Sequence, residues 1–146
     1  MTKVQRLLLP VNGSASSDRA IRYLIERWGR DPRTEDLEVH LLNVQHPLSG
    51  DVTAFVDHDA IKQHHHDEGL KALETARRAL DKEGIPYFFH VAVGDPAEII
   101  AHFAREKKCD EIVVGTRGAS RIADVITGSV ASRVSHLADV PVVLVK

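Results

Sequence analysis

The chain has 146 residues, 43% of them hydrophobic and 27% charged, with a formal net charge of −2. That size suits a single domain over residues 1–146, and the composition is globular rather than disordered. No concentrated run of Lys or Arg is present to face nucleic acid or an anionic membrane, and the one cysteine, Cys109, builds neither a disulfide framework nor a zinc site.

Apolar runs alternate with amphipathic stretches along the chain. Val4 to Val11 reads as a buried strand. Its apolar part, Leu7 to Val11, contains Pro10 and is too short for a signal peptide, and no segment approaches the ~20 apolar residues of a membrane span. A cytoplasmic location is therefore expected. Gly13 to Ser17 supplies a turn, with Ser14, Ser16 and Ser17 as candidate helix caps. The helix that follows places Ala20, Ile21, Leu24, Ile25 and Trp28 on one face. Leu37 to Val44 is a second strand, and His46 to Asp59 is a long connection without a pattern. Ile61 to Lys82 reads as a long charged helix with Leu70, Leu73, Ala76 or Arg77, and Leu80 along one stripe. Its charged residues read as a solvated face, and Gly84 ends it. Ile85 to Val93 forms a third strand. Asp95-Pro96 caps a helix that turns Ile99, Ile100, Phe103 and Ala104 inward. Glu111 to Gly115 is a fourth strand, a helix begins near Gly128, and Pro141 to Lys146 is a fifth strand. The order βαβαβαβαβ with near-continuous apolar strands implies a parallel α/β sheet covered by helices on both faces, with right-handed crossovers.

Chemistry concentrates after the fourth strand. The chain turns at Gly115 into Thr116, Arg117 and Gly118, then reaches Gly128 and Ser129 nine residues later. Glycine permits positive φ and a close approach of backbone N–H groups to a ligand. The free N–H groups and positive dipole end of the next helix favour a phosphate there. Ser129 adds a hydroxyl donor, and Arg117 and Arg121 add positive charge. With glycine near 7% of residues, three glycines and a serine at this spacing arise by chance on the order of 10⁻⁵ to 10⁻⁴ per position. That rarity argues against ordinary turn punctuation.

The pattern Gly, two residues, Gly, nine residues, Gly, Ser resembles that of the ATP-binding universal stress proteins. The likeness extends along the chain. Leu7 to Ser14 resembles the family's opening strand and turn, and Val91 to Ile100 its Gly-x-Pro-Ala-Glu segment. Glu111 to Gly115 and Val140 to Val145 resemble its last two strands. The resemblance implies an open five-stranded parallel sheet of order 3-2-1-4-5, Rossmann-like and of the adenine nucleotide alpha hydrolase kind. Ligands in such sheets bind at the strands' carboxyl ends, where the winding reverses. It implies that Pro10, Val11 and Asn12 border adenosine, that Val44 meets adenine, and that Gly115, Arg117, Gly118, Gly128, Ser129 and Val130 surround ribose and phosphates. The implied ligand is ATP, ADP or AMP, with Mg2+ as a possible companion of the phosphates. Asn12 stands where the family usually has aspartate, which removes a charge that a divalent metal could use. The resemblance also implies a homodimer through Val142–Val145, a strand whose apolar edge would otherwise lie open.

Other signals point to structure. His58, His64, His65 and His66 are not spaced to converge on a metal, and His66 shares a face with Leu70 and Leu73, so it is expected to border the core. Cys109 reads as a small buried residue. A Walker-A lysine loop, a nucleophile elbow and a dinucleotide-binding glycine fingerprint are all missing. No residue is singled out as a catalytic base, so hydrolysis is expected to be slow at most. Two readings remain at this point: a nucleotide-binding regulatory protein, and a dimeric interaction protein of the same fold with little nucleotide affinity.

Overall fold

A computed structural model describes residues 4–29, 36–116 and 129–146. The elements run β1 (Gln5–Pro10), α1 (Ala15–Trp28), β2 (Leu37–Gln45), α2 (Gly50–Thr53), α3 (His58–Lys82), β3 (Tyr87–Val93), α4 (Pro96–Glu106), β4 (Glu111–Gly115), α5 (Ser129–Leu137) and β5 (Val142–Val145). The five strands form one sheet in the order β3-β2-β1-β4-β5, and every neighbouring pair is parallel.

The unbroken apolar run of β1 follows from its central place. Successive side chains of a strand point to opposite faces, and here both faces are covered. Leu7 and Leu9 pack with Leu41, Val113 and the α1 and α3 residues Leu24, Trp28, Leu73 and Leu80. Leu8 turns the other way, towards Leu42, Ile112 and the α4 and α5 residues Ile100, Ala104, Ala131 and Val134. Because β1 lies between β2 and β4, the winding reverses beside it.

Local signals account for most boundaries. α3 ends in a Schellman turn: Gly84 takes φ +69°, its N–H donates to Asp81, and the Ile85 N–H donates to Leu80. Ile85, expected in the third strand, is instead the buried residue that closes this turn, and β3 begins at Tyr87. Asp95 caps α4 as expected, its side chain accepting from the Glu98 N–H at 3.1 Å with Pro96 at the first helical position. Two other expectations need correction. The patternless connection contains the one-turn helix α2, capped by Ser49. The buried stripe of α3 is His65, Gly69, Leu73, Ala76 and Leu80, while His66 is exposed. The cause is Gly69. A Cβ there would lie 2.4 Å from a Val91 methyl, so the helix closes on β3 along a glycine that apolar periodicity does not count.

A polar cluster is built into the β2–β3 edge. His40, buried, joins the Glu38 carboxylate at 2.7 Å and the His90 ring at 3.0 Å, and stacks on Phe88. Burial, then the charges of His40 and Lys107, hold His90 below its ordinary 6.5. The hydrogen bond from His40, helped by Arg6, holds Glu38 below its ordinary 4.5. Both groups therefore take up protons more readily in the unfolded chain. The stability they contribute is present above those ordinary values and is lost as pH falls through the folded ones. Urea unfolding at pH 7.5, 6 and 5 should show stability declining from about pH 6.5 downward. In His90→Gln that first stage of the decline should be smaller.

Candidate functional site

A crevice of about 810 Å³ opens at the carboxyl ends of the strands. It lies where the sheet reverses, with the ends of β1 and β4 on its floor, α3 on one flank, and α4 and α5 on the other. Every described residue of the sequence-derived set lines it: Pro10, Val11, Asn12, Val44, Gly115, Ser129 and Val130. Arg117, Gly118, Arg121 and Gly128 lie outside the described residues.

Asn12 organises the turn after β1. Its Oδ1 accepts from the Ser17 hydroxyl at 2.8 Å and from the Ser14 N–H at 3.0 Å, while its own N–H donates to Ser17 Oγ at 2.9 Å. Ser14 occupies the N-cap position of α1 but makes no side-chain cap bond. The capping expected of Ser14 is thus not made; Ser17 instead ties Asn12 to the first turn of α1, and Ser14 and Ser16 line the crevice.

Gly115 has a reason of its own. A Cβ on it would stand 1.8 Å from the Ser16 carbonyl oxygen, so the first turn of α1 rests directly on the end of β4. One residue on, Thr116 is buried, and both its N–H (2.8 Å) and its hydroxyl (3.3 Å) donate to the Val145 carbonyl. Its own carbonyl accepts from the Arg19 guanidinium. The exit of β4 is therefore held by α1 on one side and β5 on the other. On the far flank Arg133 of α5 pairs with the α4 cap Asp95 at 2.8 Å. That contact, together with the Glu98 N–H, holds the Asp95 carboxyl below its ordinary range. Cys109 is buried in the α4 face of the core, and its thiol is pushed up to about 11, first by burial. It is a packing residue, as the sequence implied.

Several lining residues escaped the sequence reading. Glu68 and Lys71, read as solvated helix charges, face the crevice from α3 and form an ion pair at 3.3 Å. Asn43 and Gln45 at the end of β2, and His46 just beyond it, also line the crevice, where only Val44 was expected to contribute. The available signal was the polar pair Asn43 and Gln45 at alternate positions where the strand ends.

The donors among the described lining residues do not suit a divalent metal held by the protein. The Asn12 oxygen already accepts two hydrogen bonds, and Glu68 is the one carboxylate among the described lining residues. No group of three or more His, Cys, Asp or Glu converges among the described residues.

The sequence matches the universal stress protein family over residues 3–146. It is 30% identical to the universal stress protein YxiE of Bacillus subtilis, across 97% of this chain and 98% of that one. Among solved structures it is similar to the universal stress protein of Archaeoglobus fulgidus in complex with dAMP, at 25% identity and TM-score 0.68 with both chains fully covered. It shares its fold with a universal stress protein family protein of Arabidopsis thaliana with AMP bound, at 22% identity and TM-score 0.68, across 97% of this chain and 91% of that one. With a family match from residue 3 to the last residue, a curated relative at 30% identity end to end and the same fold in solved members, the chain belongs to the universal stress protein family.

Proposed function

We propose that this chain acts in the cytoplasm as a regulatory protein that binds an adenine nucleotide, ATP, ADP or AMP, with little or slow hydrolysis, all 146 residues serving as one binding domain. The observation that carries the reading is the gathering of Pro10, Val11, Asn12, Val44, Gly115, Ser129 and Val130 around one crevice at the reversal of the sheet. The dAMP and AMP bound by the two related proteins support it. Arg117, Gly118 and Gly128 complete the phosphate side in this reading. No helix among the described residues is long and apolar enough to cross a membrane. The direct test is to denature purified protein and analyse the released small molecules by mass spectrometry. Co-purifying adenine nucleotide is expected. A chain that carries none, and takes none up on incubation with millimolar ATP, does not have this function.

The metal dependence should follow Asn12. Asn12→Asp keeps the oxygen that Ser14 and Ser17 use, but adds a negative charge at the crevice. Without magnesium this is expected to weaken ATP binding roughly twofold to fivefold, the scale of an exposed charge interaction. Added Mg2+ should restore it. The parent should bind ATP with little difference between EDTA and magnesium, and calorimetry under both conditions checks the pair.

We further propose that two copies pair through Val142–Val145. β5 is the last strand of the sheet, and Leu144 is 39% exposed on it. Open apolar edges are usually covered or paired. Sedimentation at micromolar concentration should give a dimer, and deleting Pro141 to Lys146 should abolish it.

A further inference from the structure

Three carbonyl and amide groups at the edge of the crevice form a chain whose direction chemistry fixes. The Val11 backbone carbonyl can only accept. Asn43, 2% exposed, must therefore turn its Nδ2 towards it, and does so at 2.8 Å. Asn43 Oδ1 is then left facing Gln45, which must donate with its Nε2, at 2.7 Å. An amide's O and N ends are ordinarily assigned from such a network; here the network begins at a group that cannot be reversed. Gln45, half-buried and lining the crevice, keeps its Oε1 and its second Nε2 hydrogen with no partner among the described residues.

Resting on the nucleotide reading above, we infer that the Gln45 amide reads the base and selects a 6-aminopurine over a 6-oxopurine. In this reading the Nε2 hydrogen trans to Oε1 serves Asn43, which leaves Oε1 and the other hydrogen side by side on one amide edge. An adenine offers their complement, an exocyclic amino group that donates and an adjacent ring nitrogen that accepts, the bidentate pairing glutamine makes with adenine elsewhere. A 6-oxopurine offers no such pair: its carbonyl oxygen stands beside a ring N–H on one edge and beside a second acceptor on the other. Gln45 cannot turn over to suit it. Reversal would set Gln45 Oε1 against Asn43 Oδ1, and reversing Asn43 in turn would set its oxygen against the Val11 carbonyl. Sites with fixed polar groups reject a mismatched ligand because the buried groups lose their partners.

AMP and IMP separate this inference from the binding reading, because they share ribose and phosphate and differ only in the 6-substituent and the proton on the ring nitrogen beside it. Calorimetric titration of the parent should give AMP roughly tenfold to a hundredfold tighter than IMP, the range of one bidentate base contact. In Gln45→Met, which keeps the chain length and removes both polar ends, the ratio should fall to about threefold or less, chiefly through weaker AMP binding. A melting curve confirms that the variant is folded. Equal AMP and IMP affinities in the parent overturn the inference and leave nucleotide binding standing, and this arm needs no variant. A ratio unchanged in Gln45→Met likewise overturns the role of Gln45. Failure of the parent to bind either nucleotide at millimolar concentration overturns the binding reading and this inference with it.

Discussion

Replacing Gly118 by valine is expected to abolish measurable ATP binding. Gly118 lies in the segment between Gly115 and Ser129. Gly115 at the end of β4 and Ser129 at the start of α5 both line the crevice, so the segment that holds Gly118 has both of its ends there. The sequence spends glycines at 115, 118 and 128 of that stretch. In this reading glycine serves there to let backbone N–H groups reach a phosphate. A β-branched side chain at Gly118 occupies that space and disfavours φ values that glycine adopts freely. Backbone strain of this kind costs roughly 1–3 kcal/mol, or about tenfold to a hundredfold in affinity before any direct clash. Calorimetry of the folded variant is the check. Parent-like affinity would mean that the phosphates do not sit on this loop.

The second large effect falls on stability. Gly115→Ala introduces a Cβ 1.8 Å from the Ser16 carbonyl oxygen and 2.4 Å from its carbon. These are backbone atoms in the first turn of α1, so no side chain can rotate away, and the helix end has to move. Overpacking of this sort costs typically 1–3 kcal/mol, and the upper end is expected here. For a chain of this size roughly 2–4 °C of Tm follows each kcal/mol, so thermal unfolding should begin several degrees earlier. The same shift disturbs Ser14, Ser16 and Ser17 beside Asn12, and nucleotide affinity should fall as well. An unchanged Tm would show that α1 does not rest on β4 as described.

Gly115 also illustrates what was legible in the sequence. Its place at the end of a strand was evident, and so was its membership of a glycine pattern. Its contact with Ser16 was not, because the two residues lie 99 positions apart and only the fold brings them together. The sheet was readable because its inner strands β2, β1 and β4 are largely buried on both faces and its elements are bounded by caps that work as written, such as Asp95 with Pro96 and the turn at Gly84. The strand order came from the family resemblance, and the structure has the same order. α3 was harder. Its contact with β3 runs through Gly69, which has no side chain to register in a hydrophobic period, so Leu73, Ala76 and Leu80 were read as they lie but the N-terminal part of the face was displaced by one residue, to Leu70 and His66 from Gly69 and His65. The polar half of the crevice was hidden for a related reason. Glu68 and Lys71 look like any other surface charges on a helix, and Asn43 looks like a blemish in a strand until Val11 and Gln45 are seen on either side of it.

The central claim is that an adenine nucleotide occupies the crevice where β1 and β4 end. Backbone amide resonances of the isotope-labelled chain, followed through a titration with AMP, test the binding and its location together. Saturable shifts are expected at Val11, Asn12, Val44, Gly115, Ser129 and Val130, with the N-terminal ends of the strands, including Arg6 and Glu38, unmoved. A spectrum unchanged at millimolar AMP, or one whose shifts cluster away from those six residues, would contradict it.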